Sequence, residues 1–113
     1  MSVNLTKDTY NCFIEEQNAY PVERQGRYSD MVSHSVPLIY PSYREDFAAA
    51  FDRDSVLARF ASGERELYME LQQIGMDGVY HWISVQLIYV ENPFNGDVLA
   101  IDLVKVLDSQ RSE

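Results

Sequence analysis

Residues 66–91 read ELYMELQQIGMDGVYHWISVQLIYVE, and this stretch decides the fold. Between Glu66 and Gln72 the residues Leu67, Met69 and Leu71 alternate with polar neighbours, the period-two pattern of a strand with one buried face. Gly75-Met76-Asp77-Gly78 predicts a turn, because Asp-Gly adopts positive φ at little cost. Val79 to Glu91 predicts a long strand with Ile83, Val85, Leu87 and Tyr89 on one side. Tyr80, Trp82, Ser84, Gln86 and Ile88 then occupy the other side. Strands joined by so short a turn are antiparallel, since a parallel pair needs a crossover of a dozen or more residues.

Downstream, Asn92-Pro93-Phe94-Asn95-Gly96-Asp97 predicts a second turn, and Val98 to Val106 a last strand. Upstream, the period changes. Ser42-Tyr43-Arg44-Glu45 reads as a capping box, followed by Phe47, Ala50 and Phe51 on one helical face. Asp54 reads as the cap of a further helix carrying Val56, Leu57 and Phe60, with Gly63 as its left-handed stop. Tyr28, Met31, Val32 and Ser35 repeat at helical spacing and predict a short helix ending before Pro37. Residues 17–26 lack periodicity and read as a loop. At the start, Val3-Asn4-Leu5 and Thr9 to Ile14 flank the polar turn Thr6-Lys7-Asp8 and predict a hairpin whose first strand is short, as expected close to a cut in a longer protein. The expected class is α+β: a five-stranded antiparallel sheet with three short helices packed on one face.

Composition narrows the functional classes. The chain has 113 residues, one domain's worth, and is 46% hydrophobic. Its net charge of −9 argues against nucleic acid or an anionic membrane as partner, since both select a basic footprint. A single cysteine, Cys12, excludes an intrachain disulfide and a multi-cysteine zinc site and suits a reducing cytoplasm. No apolar run reaches the ~18 residues of a membrane span. The first ten residues, MSVNLTKDTY, lack the basic start and apolar core of a signal peptide.

The element order resembles that of the PAS fold, and particular residues extend the resemblance. Asp77-Gly78-Val79-Tyr80-His81-Trp82-Ile83 resembles the D-G-x-Y-R-W stretch that opens the fourth strand of many bacterial PAS domains, with His81 in place of Arg. Ile39-Tyr40-Pro41-Ser42-Tyr43-Arg44 is similar to their V-H-P-x-D-R helix start, with Tyr40 for His and Tyr43 for Asp. Ser62-Gly63-Glu64 falls where these domains carry G-E before the third strand, and Ile101-Asp102-Leu103 resembles the D-I-T at the end of the last. Residues 3–10 are similar to the first hairpin of PAS domains that precede GGDEF-type diguanylate cyclases.

The resemblance implies a PAS domain over residues 1–108, with 109–113 starting a linker to an output domain that is not in this chain. It implies a sensory or regulatory role in a bacterial signalling protein, non-catalytic in itself because the GGDEF motif is absent. The expected output is a diguanylate cyclase. The alternatives are the sensor of a histidine kinase and a ligand-free dimerisation module. The expected location is cytoplasmic, with the parent protein free to be membrane-anchored.

Phe47, Phe51 and Phe60 on the helices are expected to face Leu67, Met69, Leu71, Ile83, Val85 and Leu87 on the sheet. In a PAS fold that space either holds a small molecule or is a fully packed core, and the sequence leaves both open; no cofactor is named. Tyr80, Trp82 and Ile88 on the opposite face are expected to need cover from a second copy or from preceding residues, which points to a homodimer. Asp102 is expected at the signal exit, holding the last strand to the loops by hydrogen bonds. His34 and His81 show no metal-ligand spacing, and the acidic surplus reads as helix caps and solvated faces rather than as a catalytic pair. Cys12, with no basic neighbour, reads as an inert thiol.

Overall fold

The computed structural model describes residues 1–12 and 25–107. The strands are β1 (Ser2–Asn4), β2 (Thr9–Asn11), β3 (Gln25–Gly26), β4 (Glu66–Ile74), β5 (Tyr80–Val90) and β6 (Leu99–Val106). The helices α1 (Tyr28–Ser35), α2 (Pro41–Phe51) and α3 (Arg53–Ala61) lie between β3 and β4, with one 3-10 turn at Val36–Leu38. The class is α+β, but the single antiparallel sheet has six strands rather than five, in the order β3-β2-β1-β6-β5-β4. The extra strand comes from residues expected to be loop: Gln25 and Gly26 pair with Asn11 and Tyr10. Gly26 fits because a side chain there would meet the Tyr10 ring at 3.1–3.4 Å. The rest of the expected loop, and Phe13 and Ile14 of the expected second strand, lie outside the described residues.

β6 is the pivot of the sheet. It pairs with β5 over Ile83↔Val106 to Val90↔Leu99 and, on its other side, with β1 over Ser2↔Ile101 to Asn4↔Leu99. The first and last strands are thereby joined. The Asp102 amide donates to the Met1 carbonyl at 2.8 Å, and the Leu5 amide to the Val98 carbonyl at 2.8 Å. The β4–β5 turn forms where expected, with Gly78 at φ 78° and the Val79 amide donating to Asp77 Oδ1 at 3.0 Å. In the β5–β6 turn the Asn92 and Asn95 amide oxygens accept from the Phe94 and Asp97 backbone amides.

Two helix starts differ from expectation. α2 begins at Pro41, with Tyr40 as N-cap and no side-chain capping bond, so Ser42-Glu45 forms no capping box. Pro41 is pre-organised for the first helical position, and this pulls the start one residue ahead of Ser42. Arg44 instead donates from Nε to the Ile39 carbonyl at 2.8 Å. α3 is capped by Asp52, whose Oδ2 accepts from the Ser55 amide at 3.2 Å, and Asp54 sits inside the first turn. The end of α3 is as expected: Gly63 has φ 107°, its amide donates to Phe60, and the Glu64 amide reaches back to Arg59, a Schellman closure.

The helices cover one face of the sheet. Val3, Tyr28, Ile39, Phe47, Phe51, Val56, Phe60, Leu67, Leu71, Ile83 and Leu87 belong to one buried cluster. Each large apolar side chain withdrawn from water in this way contributes about 1.5–3 kcal/mol before the entropy of ordering it is counted.

Candidate functional site: the helix-covered face of the sheet

The structure brings the expected interior residues together. Phe47, Phe51, Phe60, Leu67, Leu71, Ile83, Val85 and Leu87 are buried, and Met69 packs against them partly exposed. The Phe47 and Phe51 rings stack at 5.1 Å, and Phe60 meets Tyr89 edge-on at 5.3 Å, with the Arg65 guanidinium 4.5 Å over the Tyr89 ring. The buried ones among these side chains belong to one cluster. An open groove of about 210 Å³ is lined by Ser29, Val32 and Ser33 of α1, Ala48 of α2, and Asp52 and Arg53 at the α2–α3 junction. Arg53 is already committed there, donating to the Leu5 and Thr6 carbonyls at 2.5 and 2.9 Å.

Polar side chains also lie on the helix-facing side, buried Gln73 beyond Leu71 on β4 and half-buried Asp102 on β6. Asp102 stands opposite Leu87, which is fully buried, so alternation turns both side chains toward the helices. Its Oδ1 is buried and has no hydrogen-bond partner among the described residues. The expected bonds from Asp102 to the loops are therefore not made by this oxygen. The strand is held instead by backbone: besides the amide bond to Met1, the Met1 ammonium donates to the Asp102 carbonyl at 3.2 Å. Burial pushes the Asp102 carboxyl up to about 6, and the Met1 ammonium pulls the other way. Tyr28 of α1 lies within its electrostatic reach. The Tyr28 hydroxyl donates to the Phe51 carbonyl at 2.7 Å, and its pKa is raised by burial first and then by the negative charges of Asp102, Asp52 and Asp8.

The opposite face is partly covered by the chain itself. The Ile39↔Gln73 bridge and the Tyr40 amide bond to the Gln72 carbonyl fasten the start of α2 to the edge of β4. This brings Tyr40 to 5.2 Å from Tyr80 and Tyr43 to 5.9 Å from Trp82, both edge-on. Tyr80, Trp82 and Ile88 are half-buried and Ser84 is buried. The cover expected from a second copy or from preceding residues is thus supplied in part by α2, and the reach of Tyr40 and Tyr43 around the edge strand is what sequence alternation did not reveal.

The titratable side chains singled out by sequence do not converge. His34 is exposed in the last turn of α1, and His81 pairs with Asp77 through Nε2 and Oδ2 at 2.8 Å. The Asp77 carboxyl is held below its usual range, first by the Val79 amide and then by His81. Cys12 is half-buried just past the end of β2. Among the described residues no three His, Cys, Asp or Glu side chains gather as a metal site would require, and no helix is long and apolar enough to cross a membrane.

No family model matches this chain, and no curated protein matches it.

The inward carboxyl of Asp102 was the site feature that the sequence obscured. Along β6 the even positions Ala100, Asp102, Val104 and Val106 and the odd positions Leu99, Ile101, Leu103 and Lys105 each carry three apolar residues and one charge, so period two does not tell the faces apart. The signal lies in the partner: Leu87 on the long strand has polar Gln86 beside it, and Asp102 is its opposite number.

Proposed function

We propose that the chain is a regulatory domain of the PAS type, acting in a bacterial signalling protein upstream of an output domain. The observation that carries this reading is where Asp77–Ile83 falls: at the turn and opening turns of the longest strand, in an element order of hairpin, helices and three-stranded meander. In this reading residues 1–108 form the domain and 109–113 begin the connection to the output. A diguanylate cyclase is the first choice of output and a histidine kinase the second. The domain works by population shift: a stimulus matters through its different affinity for two arrangements of the helix-covered face and of β6.

The packed aromatic interior favours a second input besides a bound small molecule, namely a change in dimer geometry. Native and denaturing mass spectrometry of the purified chain separate the two. A non-covalent mass that disappears on denaturation supports ligand sensing. A ligand-free dimer supports control through dimerisation. A ligand-free chain that stays monomeric at high micromolar concentration by light scattering counts against both inputs and against the regulatory reading.

A further inference from the structure

We propose that Asp102 is a proton-operated latch on the seam between β6 and β1: neutral, it keeps the amino-terminal strand docked; ionised, it loosens that strand. The inference rests on the surroundings of one carboxyl and does not depend on the regulatory reading above. Asp102 is half-buried on one of the two central strands, faces the fully buried Leu87, and has an Oδ1 that is closed off from water and accepts no hydrogen bond among the described residues. A carboxylate in that setting lacks the donors that stabilise its charge, whereas the neutral acid tolerates it.

The groups facing this site reinforce the asymmetry. From β5 comes Leu87, which carries no charge. From α1 comes Tyr28, whose proton is already given to the Phe51 carbonyl. Asp8 and Asp52 act on the same phenol with negative charge, from the β1–β2 turn and the α2–α3 junction. From Met1, just ahead of β1, comes an ammonium whose charge acts on Asp102; it donates to the Asp102 carbonyl. Burial outweighs that ammonium and raises the carboxyl to about 6, above the usual carboxylate range.

The cheapest way to hydrate an ionised Asp102 is to part the weaker of its two seams. β5 pairs with β6 along eight positions, from Ile83 to Val90, whereas β1 is three residues long. The seam that opens is therefore β1–β6, which carries the amino-terminal hairpin with it. Because the folded pKa is raised, the stabilisation is complete below the unfolded value near pH 4 and is lost as the pH rises through about 6.

The test compares the wild-type chain with Asp102→Asn, which holds the neutral shape. The two proteins share every other side chain, so the difference between them isolates Asp102. The unfolding constant of the wild type is expected to rise about tenfold relative to the variant between pH 5 and pH 7.5. Carbon-13 titration of the Asp102 carboxyl in the wild type needs no variant and is expected to show a midpoint near 6. Over the same range the Asp102 and Leu5 amides, which bond across the seam, are expected to lose exchange protection relative to those between β4 and β5. A midpoint below pH 4.5, parallel stability profiles for the two proteins, or loss of protection shared equally by β4–β5 would overturn the latch.

Discussion

At the residue scale, the cap of α3 shows how two similar aspartates acquire different roles. Asp52 and Asp54 both precede an apolar helical run, and either could serve as N-cap. The α2–α3 junction decides between them: Phe51 is buried against Phe47, so the chain leaves α2 immediately afterwards, and Asp52 takes the extended φ and ψ of a cap. Its carboxylate then accepts from the Ser55 amide. Asp52→Ala is expected to cost about 1 kcal/mol in urea unfolding, and Asp54→Ala no more than a few tenths. Equal costs would return the cap to the position that sequence alone suggested. Asp102 is the counterpart on the sheet, where one charge on each side of a largely apolar strand conceals which way its single acid points.

At the element scale, the alternation was legible over Leu67–Leu71 of β4 and Ile83–Leu87 of β5, where apolar residues recur at every second position. Leu67, Leu71, Ile83 and Leu87 turn inward as their spacing requires. Leu87→Ala is expected to cost about 3 kcal/mol, the range for emptying a packed core site, while Leu103→Ala, on an exposed stretch of β6, changes stability by less than about 0.5 kcal/mol. Comparable losses at both positions would mean that the inner and outer faces have been exchanged. What was not legible is how α2 is anchored. Proline at the first helical position fixed its start, and the short bridge from Ile39 to the β4 edge aimed Tyr40 and Tyr43 at Tyr80 and Trp82. Trp82 is the only tryptophan, so its fluorescence reports on this corner. Replacing both Tyr40 and Tyr43 with alanine is expected to raise quenching of Trp82 by acrylamide while leaving the far-ultraviolet dichroism unchanged. Unchanged quenching would mean that cover comes from elsewhere.

At the scale of the whole molecule, the fold depends on a long-range pairing that local patterns only imply. Period two identifies strands, short turns identify hairpins, and together they yield a hairpin at one end and a meander at the other. Neither states that β1 docks beside β6, about a hundred residues away along the chain, since that pairing has no local turn to dictate it. The two-residue β3 was missed for the same reason: Gln25-Gly26 is too short to have a period, and only the nearby β2 makes it a strand. The class was therefore readable from the sequence, while the strand count and the inward carboxyl emerge from how distant segments meet.

The position of β6 between β1 and β5 underlies the interior, the Asp102 latch and the regulatory reading alike. Proton–proton nuclear Overhauser spectroscopy tests it most directly. The Met1 and Trp82 backbone bonds set the register so that Ser2 with Ile101, and Leu87 with Asp102, are non-hydrogen-bonded pairs, whose Cα atoms approach to about 4.5 Å. Strong Hα–Hα cross-peaks are expected for both pairs at once. Cross-peaks from Leu87 to Asp102 without those from Ser2 to Ile101, or β1 protons meeting β4 instead, would contradict the architecture on which the account rests.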